Sequence, residues 1–188
     1  MSGPDGLTVR AATPRDADWL RGLHRASHAE VKERAYDAYD RGWDDGFFVA
    51  RIAHPDGVLV AARGGEDVGA AYLEERDDAI CVEAVEVRPE HQGEGIGSSL
   101  LRLVKDRAVA GGQSVTIRVH SGNEAALRLY EHRGFRVVEE SGGQLLMHWP
   151  APVRGAAISA SAIAASPGPG TAGRSRSSSA RCRRNPPL

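Results

Sequence analysis

The segment Val87-Arg88-Pro89-Glu90-His91-Gln92-Gly93-Glu94-Gly95-Ile96-Gly97 decides the fold. It carries three glycines at alternate positions, between an apolar run that Pro89 stops and a helical pattern that starts at Ile96. Glycine lets a backbone approach a ligand closely, and the first turn of a helix presents unpaired N–H groups to anions. The segment therefore predicts a strand, a turn and a helix that together bind a diphosphate.

Other glycine-rich phosphate motifs do not fit this turn. The dinucleotide fingerprint needs Gly-x-Gly-x-x-Gly, and the P-loop needs Gly-Lys-Ser/Thr; neither occurs here. A tight turn from strand to helix without any ligand stays open as the alternative.

A second segment, Asn123-Glu124-Ala125-Ala126-Leu127-Arg128-Leu129-Tyr130-Glu131-His132-Arg133-Gly134-Phe135, predicts a short helix. Asn123 can cap its start, and Gly134 with Phe135 forms a typical helix end with a hydrophobic contact. Its apolar face comprises Ala126, Leu129 and Tyr130.

The rest of the body follows the same logic of periodicity and turn residues. Strands are predicted at 7–12, 57–63, 68–74, 80–87, 115–119, 135–138 and 145–149, and helices after Thr13-Pro14 and at 29–40, 96–110 and 123–133. This order predicts an α/β fold, a single domain in which helices flank a mixed, mainly antiparallel sheet.

The two segments resemble the two signatures of the GNAT superfamily of acyl-CoA-dependent N-acetyltransferases. Gln92, Gly95 and Gly97 match Gln/Arg-x-x-Gly-x-Gly/Ala, and the segment from Asn123 matches Asn-x-x-Ala-x-x-Leu-Tyr-Glu-x-x-Gly-Phe residue for residue. The resemblance implies direct transfer of an acetyl group from acetyl-CoA to a primary amine, on a small molecule or a protein. A non-catalytic acyl-CoA sensor is the alternative.

The resemblance also implies site residues. The turn binds the pyrophosphate of CoA through backbone N–H groups, the pantetheine arm lies along strand 80–87, and Val85 donates its N–H to the thioester oxygen. Tyr130 corresponds to a tyrosine that often protonates the leaving thiolate, with simple packing against the arm as the alternative. The expected cofactor contacts are Val85, Val87, Gln92, Gly93, Glu94, Gly95, Ile96, Gly97 and Asn123.

A base for the amine is expected on strand 80–87. Period two predicts Cys81, Glu83, Val85 and Val87 on one face and Glu86 on the other. Relatives that use a strand residue as base place it at positions corresponding to Cys81 or Glu83, so Glu83 is the expected catalytic base, acting through a water. Glu86 is the reserve, because a bulge can reverse the alternation. Attraction of a cationic acceptor, or a salt bridge, is the alternative role for Glu83.

The acceptor is expected near Trp43-Asp44-Asp45, which resembles an element that borders the acceptor site in one GNAT subgroup. An aromatic ring with two carboxylates suits a cation, although a core role for Trp43 is the alternative. His24 and His28 lie one helical turn apart, but no third ligand is recognisable. We therefore predict an exposed histidine face and no metal.

The chain of 188 residues has room for one domain and a tail. Residues 1–150 form the predicted transferase domain, and residues 151–188, rich in Ala, Ser, Pro and Arg, form a predicted disordered tail. The tail holds six arginines and no acidic residue; the other 18 basic and 25 acidic residues give the body a net charge of −7. An acidic body favours cationic acceptors over nucleic acid.

The remaining composition bears on compartment and partners. Two cysteines exclude a disulfide framework, and neither a signal peptide nor a membrane span is recognisable. A cytoplasmic protein without membrane partners is expected, and a homodimer remains possible.

Overall fold

A computed structural model describes residues 6–35, 51 and 57–151. Its helices are α1 (Ala17–Ala35), α2 (Ile96–Gly111) and α3 (Glu124–His132), with short 3-10 turns at Pro14–Asp16 and Pro89–His91. Its strands are β1 (Leu7–Ala11), β2 (Val58–Arg63), β3 (Glu66–Glu75), β4 (Ala79–Val87), β5 (Ser114–His120), β6 (Arg136–Ser141) and β7 (Gln144–Trp149). The predicted bounds of these strands are confirmed to within a few residues.

The described strands form one sheet in the order β1-β2-β3-β4-β5-β7-β6. Neighbouring strands run antiparallel except β4 and β5, which are parallel and connected through α2. The predicted mixed, mainly antiparallel sheet is therefore confirmed.

Helices cover both faces of the sheet. On one face, the apolar side of α2, with Ile96, Leu100 and Val104, packs against a core that includes Ile80 and Ile117. On the other face, a second core joins α1 to β2 and β3 through Leu20, Leu23, Val58, Val60 and Tyr72. Burial of these side chains supplies the main stabilisation of such a layered domain.

The N-terminal helix differs from its prediction. We expected a second helix over residues 29–40, but α1 continues without a break from Ala17 to Ala35, and residues 36–50 lie outside the described part. The predicted start at Thr13 is confirmed, because the Thr13 N–H and hydroxyl donate to Asp16 Oδ2 at 2.6 and 2.9 Å. In residues 6–35 and 57–151, the structure has no helix that is long and apolar enough to cross a membrane.

Candidate cofactor and acyl-transfer site

A gap opens in the middle of the sheet between β4 and β5. The two strands pair only along Ala79–Val82 and Ser114–Ile117. Beyond this ladder, β4 continues along β3 to Val87, whereas β5 continues along β7 to His120. In the described residues, the facing edges of the two strands are therefore unpaired from Glu83 onward.

The edge of β4 directs two backbone N–H groups into this gap. Arg88 N donates to Val68 O at 3.0 Å. This bond shows which residues of β4 direct their backbone N–H groups toward β3. Because backbone groups alternate in direction along a strand, the N–H groups of Val85 and Val87 point away from β3. Gln92 Nε2 donates to Val87 O at 3.4 Å from that side. The structure thus places Val85 and Val87 on the free edge.

A β-bulge at Glu83 marks the start of the gap. Ala84 lies opposite Tyr72 and Val82 lies opposite Leu73, so Glu83 is an extra residue without a partner on β3. Our expectation that Cys81, Glu83, Val85 and Val87 share one face is wrong. Val85 and Val87 instead pack on the α2 side, in the cluster that holds Val82, because the extra residue reverses the alternation.

Glu83 is partly buried and paired with an arginine. Its Oε2 lies 2.7 Å from Arg51 Nε, and about 20% of its side chain is exposed. Burial raises the pKa of the Glu83 carboxyl, while Arg51 lowers it and Glu74 adds to the rise. A carboxyl whose pKa lies above its ordinary range is better matched to accept a proton near neutral pH.

Glu86 lies three residues further, in a buried cluster on the α1 face. Its carboxylate contacts His24 Nδ1 and lies close to the Tyr72 hydroxyl. All three side chains are almost fully buried. Burial raises the pKa of Tyr72, and the nearby Glu86 charge adds to the rise. A buried carboxylate needs such partners to offset the loss of water.

The predicted exposure of His24 is therefore wrong. His24 is 5% exposed, and it follows Leu20 by four residues and Leu23 by one. These spacings put all three on the face of α1 that packs against the sheet. The continuation of the apolar stripe through His24 was the pattern that could have revealed it.

The turn before α2 has the form that an anion site requires. Gly93 and Gly95 have φ of +81° and +82°, and, apart from the adjacent residues in the chain, no described atom lies within 4 Å of where a Cβ would stand on either. The first α-helical hydrogen bond runs from Ser99 N to Gly95 O, so the N–H groups of Ile96, Gly97 and Ser98 lack an intrahelical acceptor. Open space beside these donors fits a diphosphate.

Gly97 has a different function in the same turn. A Cβ there would lie 3.3 Å from Leu129 Cδ2 and 3.7 Å from Val85 Cγ1. This contact is tight, so a glycine lets α2 approach both α3 and β4 closely. The two sequence segments that suggested a shared site are in fact neighbours.

Ion pairs surround the turn. Glu94 contacts Arg63 Nη1 through its carboxylate, and His91 Nδ1 lies 3.3 Å from Glu94 Oε2. Arg88 contacts Glu66, and its Nε lies 3.3 Å from Glu90 Oε1. Cations from β2 and from the segment after β4 therefore lie at the rim of the candidate anion site.

The start and end of α3 agree with the sequence prediction. Asn123 Oδ1 accepts a hydrogen bond from Ala126 N at 3.1 Å, which confirms the cap. Gly134 has a φ of +83°, and Phe135 N donates to Tyr130 O at 3.0 Å. Tyr130 is 6% exposed, packs with its ring centroid 6.0 Å from that of Phe135, and has a pKa raised by burial. Its phenol is therefore protonated at neutral pH. Trp43, Asp44 and Asp45 lie outside the described residues.

Residues 18–135 match the model of the Acetyltransferase (GNAT) family, and the chain belongs to this family. The resemblance drawn from the two segments is thereby confirmed, and with it acetyl-CoA as the cofactor of this class of enzyme.

Two curated relatives make the likeness more specific. The chain is 33% identical over 147 residues to a mycothiol acetyltransferase of Streptomyces bingchenggensis, covering 72% of this chain and 45% of that protein. It is 36% identical over 137 residues to the N-alpha-acetyltransferase RimI of Mycobacterium tuberculosis, covering 70% of this chain and 80% of that protein. The chain thus spans about half the length of the mycothiol acetyltransferase.

A solved structure shows the same fold. The PaiA N-acetyltransferase of Thermoplasma acidophilum, in complex with coenzyme A, aligns with a TM-score of 0.68 and 18% identity. The alignment covers 77% of this chain and 98% of that protein.

Proposed function

We propose that this protein transfers the acetyl group of acetyl-CoA to a primary amine by direct attack while both substrates are bound. The observation that carries the proposal is the gap beside β4. Its free edge directs two N–H groups into the opening, next to a turn whose geometry fits a diphosphate. Family membership gives that arrangement its chemistry.

Bound acetyl-CoA would supply an acetyl group activated as a thioester. In our proposal the backbone N–H groups of residues 93–97, those of Glu94 and Ile96 included, hold the phosphates. Gln92, whose own N–H donates to Pro89 O at 3.2 Å, begins this turn. Val85 donates its N–H to the acyl oxygen, and Val87 binds the pantetheine arm along the edge. Asn123 uses Oδ1 for its cap, so its Nδ2 is the group that donates to the arm.

Two side chains would move protons. Glu83 accepts the proton of the amine through a water, and its raised pKa supports this assignment. Tyr130 donates a proton to the departing thiolate. Its phenol is protonated at neutral pH, but burial, which raises its pKa, also makes it a weaker acid and so favours the alternative packing role. The ion pair between Glu83 and Arg51 favours the alternative, in which Glu83 orders the site or attracts a cation.

The acceptor is proposed as a small amine or the amino group of a protein. The names of the two relatives point to these two classes, one to mycothiol and one to a protein α-amino group. Trp43, Asp44 and Asp45 remain proposed acceptor residues from the sequence. The negative charge of the body agrees with a cationic acceptor.

A thiol-release assay with acetyl-CoA tests this function directly. The acceptor panel contains spermidine, an aminoglycoside, a peptide with a free N-terminus and the same peptide with a blocked one. We expect release above background with at least one free amine and none with the blocked peptide. CoA binding without release for any amine would instead indicate the acyl-CoA sensor.

Gly95→Asp locates the cofactor site. An aspartate would place a side chain and a negative charge where the phosphates approach, so CoA binding should be abolished in calorimetry. Gly142→Asp is the matched control, because Gly142 also has a positive φ and open space at its Cβ position. Equal CoA affinity in the two folded variants would refute the site.

Tyr130→Phe tests the proton donor. Loss of the hydroxyl should lower kcat at all pH values, while CoA affinity remains nearly unchanged. An unchanged kcat would reduce Tyr130 to a packing residue.

A further inference from the structure

The turn that should receive a diphosphate contains a carboxylate of its own. Glu94 lies between Gly93 and Gly95, so its backbone N–H belongs to the candidate anion site. Its side chain carries the same sign of charge as the phosphates, and like charges at close range repel. One residue therefore has a backbone suited to binding and a side chain that opposes it.

The Glu94 carboxylate is held by two side chains from different places. Arg63, at the end of β2, contacts Oε2 through Nη1 and donates from Nη2 to the Glu94 backbone oxygen at 3.4 Å. His91, from within the segment, places its Nδ1 3.3 Å from Glu94 Oε2. We call Arg63, His91 and Glu94 the Glu94 cluster.

The Glu94 side chain is 40% exposed, and that of Arg63 is 30% exposed. The cluster therefore lies at the surface, where an ion pair contributes about 0–1 kcal/mol and can exchange partners at little cost. A phosphate is a stronger acceptor for a guanidinium than an exposed carboxylate, because it offers more oxygens and more charge.

We propose that Glu94 is a built-in competitor for the phosphates of the cofactor. In the free protein its carboxylate occupies Arg63 and His91; when CoA binds, a phosphate group takes over these two side chains and Glu94 moves toward solvent. This inference rests on the proposed binding of CoA in the turn from Gln92 to Gly97. It assigns Arg63, a residue of β2 outside both sequence segments, to the phosphate site.

Calorimetric titration of CoA tests the competition at low and at high salt. Glu94→Gln should lower the Kd about fivefold at low salt, and the gain should shrink as salt screens the charge. Glu75→Gln is the matched control, because it removes the same charge from a carboxylate that is paired with Arg107 in the last turns of α2, at the end of that helix opposite to the turn. We expect less than a twofold change in the control.

Arg63→Gln tests the other side of the pair. It should raise the Kd for CoA about tenfold, whereas Arg107→Gln, the same change in the last turns of α2 where Arg107 pairs with Glu75, should have little effect. In the Arg63→Gln background, Glu94→Gln should lose most of its gain in CoA affinity, because the guanidinium for which Glu94 and the phosphate compete is then absent. A purely structural effect of Glu94 would not depend on Arg63 in this way.

Dephospho-CoA, which lacks the 3′-phosphate, identifies the phosphate concerned. An equal gain from Glu94→Gln for CoA and dephospho-CoA places the pyrophosphate at Arg63, and a gain for CoA alone places the 3′-phosphate there. Either result supports the proposal. An unchanged or higher Kd for both ligands in folded Glu94→Gln overturns it, as does a gain that persists in full without Arg63.

The wild-type titration separates this inference from the proposed function. If the wild-type protein does not bind CoA, the proposed function fails. If it binds CoA, and Gly95→Asp abolishes that binding while Glu94→Gln does not tighten it, the inference about Glu94 fails and the proposed function stands.

Discussion

The first half of β4, Ala79–Val82, hydrogen-bonds to a strand on each side and is buried on both faces, whereas the second half keeps only β3 as a partner. Aliphatic side chains and Cys81 fill the first half. The second half holds Glu83, Glu86 and the two N–H groups that point into the gap. A bulge at Glu83 separates them.

The difference teaches how a site is made within a continuous strand. Hydrogen-bonded ladders on both sides and packing in the core hold the first half in place, so this half fixes the position of the start of β4 in the sheet. The second half is left without its ladder to β5, and an unpaired edge is a template for an extended ligand. Stability should therefore depend mainly on one half, and activity on the other.

Glu86 is an exception to this division, because it lies in the second half of β4 but should contribute mainly to stability. Glu86→Ala removes one partner from a buried charged cluster and leaves His24 and Tyr72 without it, so we expect a loss of about 3–5 kcal/mol of unfolding free energy. Urea denaturation measures the loss. Glu83→Ala, the carboxylate three residues earlier, is the matched control and should cost less, because its side chain is 20% exposed whereas that of Glu86 is 2% exposed. Equal stability of the two variants would contradict a structural role for the cluster.

Ile80→Ala tests the first half of β4, where a substitution should reduce stability without changing the affinity for CoA. Ile80 is fully buried in the first half, and truncating a buried isoleucine costs about 2–5 kcal/mol. Under conditions where the variant is folded, its Kd for CoA should equal that of wild type. Val85→Ala, in the partly buried second half, should reduce stability less than Ile80→Ala does and should reduce the affinity for CoA more. The opposite ranking in denaturation would refute the comparison.

Glu83→Gln should affect catalysis and leave stability almost unchanged. If Glu83 accepts the amine proton, kcat should fall about 10²-fold at neutral pH, and higher pH should restore much of it by supplying free amine. If Glu83 only attracts a cationic acceptor, the change should appear in the acceptor KM and shrink at high salt. That second pattern, with kcat preserved, would shift the role of base to Glu86 or to a water.

The pKa of Glu83 also predicts a small effect of pH on stability. Because the folded protein raises this pKa, it binds the proton more tightly than the unfolded chain. The contribution of Glu83 is therefore fully present below its unfolded pKa and is lost as pH rises through the folded pKa. Thermal melts should show a weaker decline of Tm over this range in Glu83→Gln than in wild type. Parallel Tm curves would contradict the shift.

Removal of residues 151–188 should have the smallest effect. The composition of this segment cannot build a core, so Tm and the Kd for CoA should remain close to those of the full chain. A loss of several degrees in a thermal melt would show that the segment packs on the body.

The sequence predicted those parts that depend on local patterns. The glycines of the turn, the Asn123 cap and the helix end at Gly134 are each fixed by residues a few positions apart, and the structure shows them as expected. The bulge at Glu83 depends on the register between β3 and β4, which no local pattern records. Val85 and Val87 therefore lie on the face opposite to the predicted one, that of Cys81, whereas Glu86 lies on the other face from Val85 and Val87 as predicted.

The buried cluster was missed for a related reason. A histidine, a tyrosine and a glutamate, from three elements, become mutual partners only after α1 packs on the sheet. Taken singly, His24 and Glu86 are polar residues that favour the surface, so composition argues against their burial. Likewise, the contact of Arg63 with Glu94 joins two residues that are far apart in the sequence.

The short ladder between β4 and β5 has a consequence for how the chain folds and opens. Strands β1–β4 and strands β5–β7 form two antiparallel groups, and the ladder that joins them pairs residues more than thirty positions apart. Forming it requires closure of the loop through α2, so this seam should assemble late in folding. An extended ligand bound along the free edge would help to hold the two groups of strands together at this seam. It should therefore slow amide hydrogen exchange on both sides of the seam.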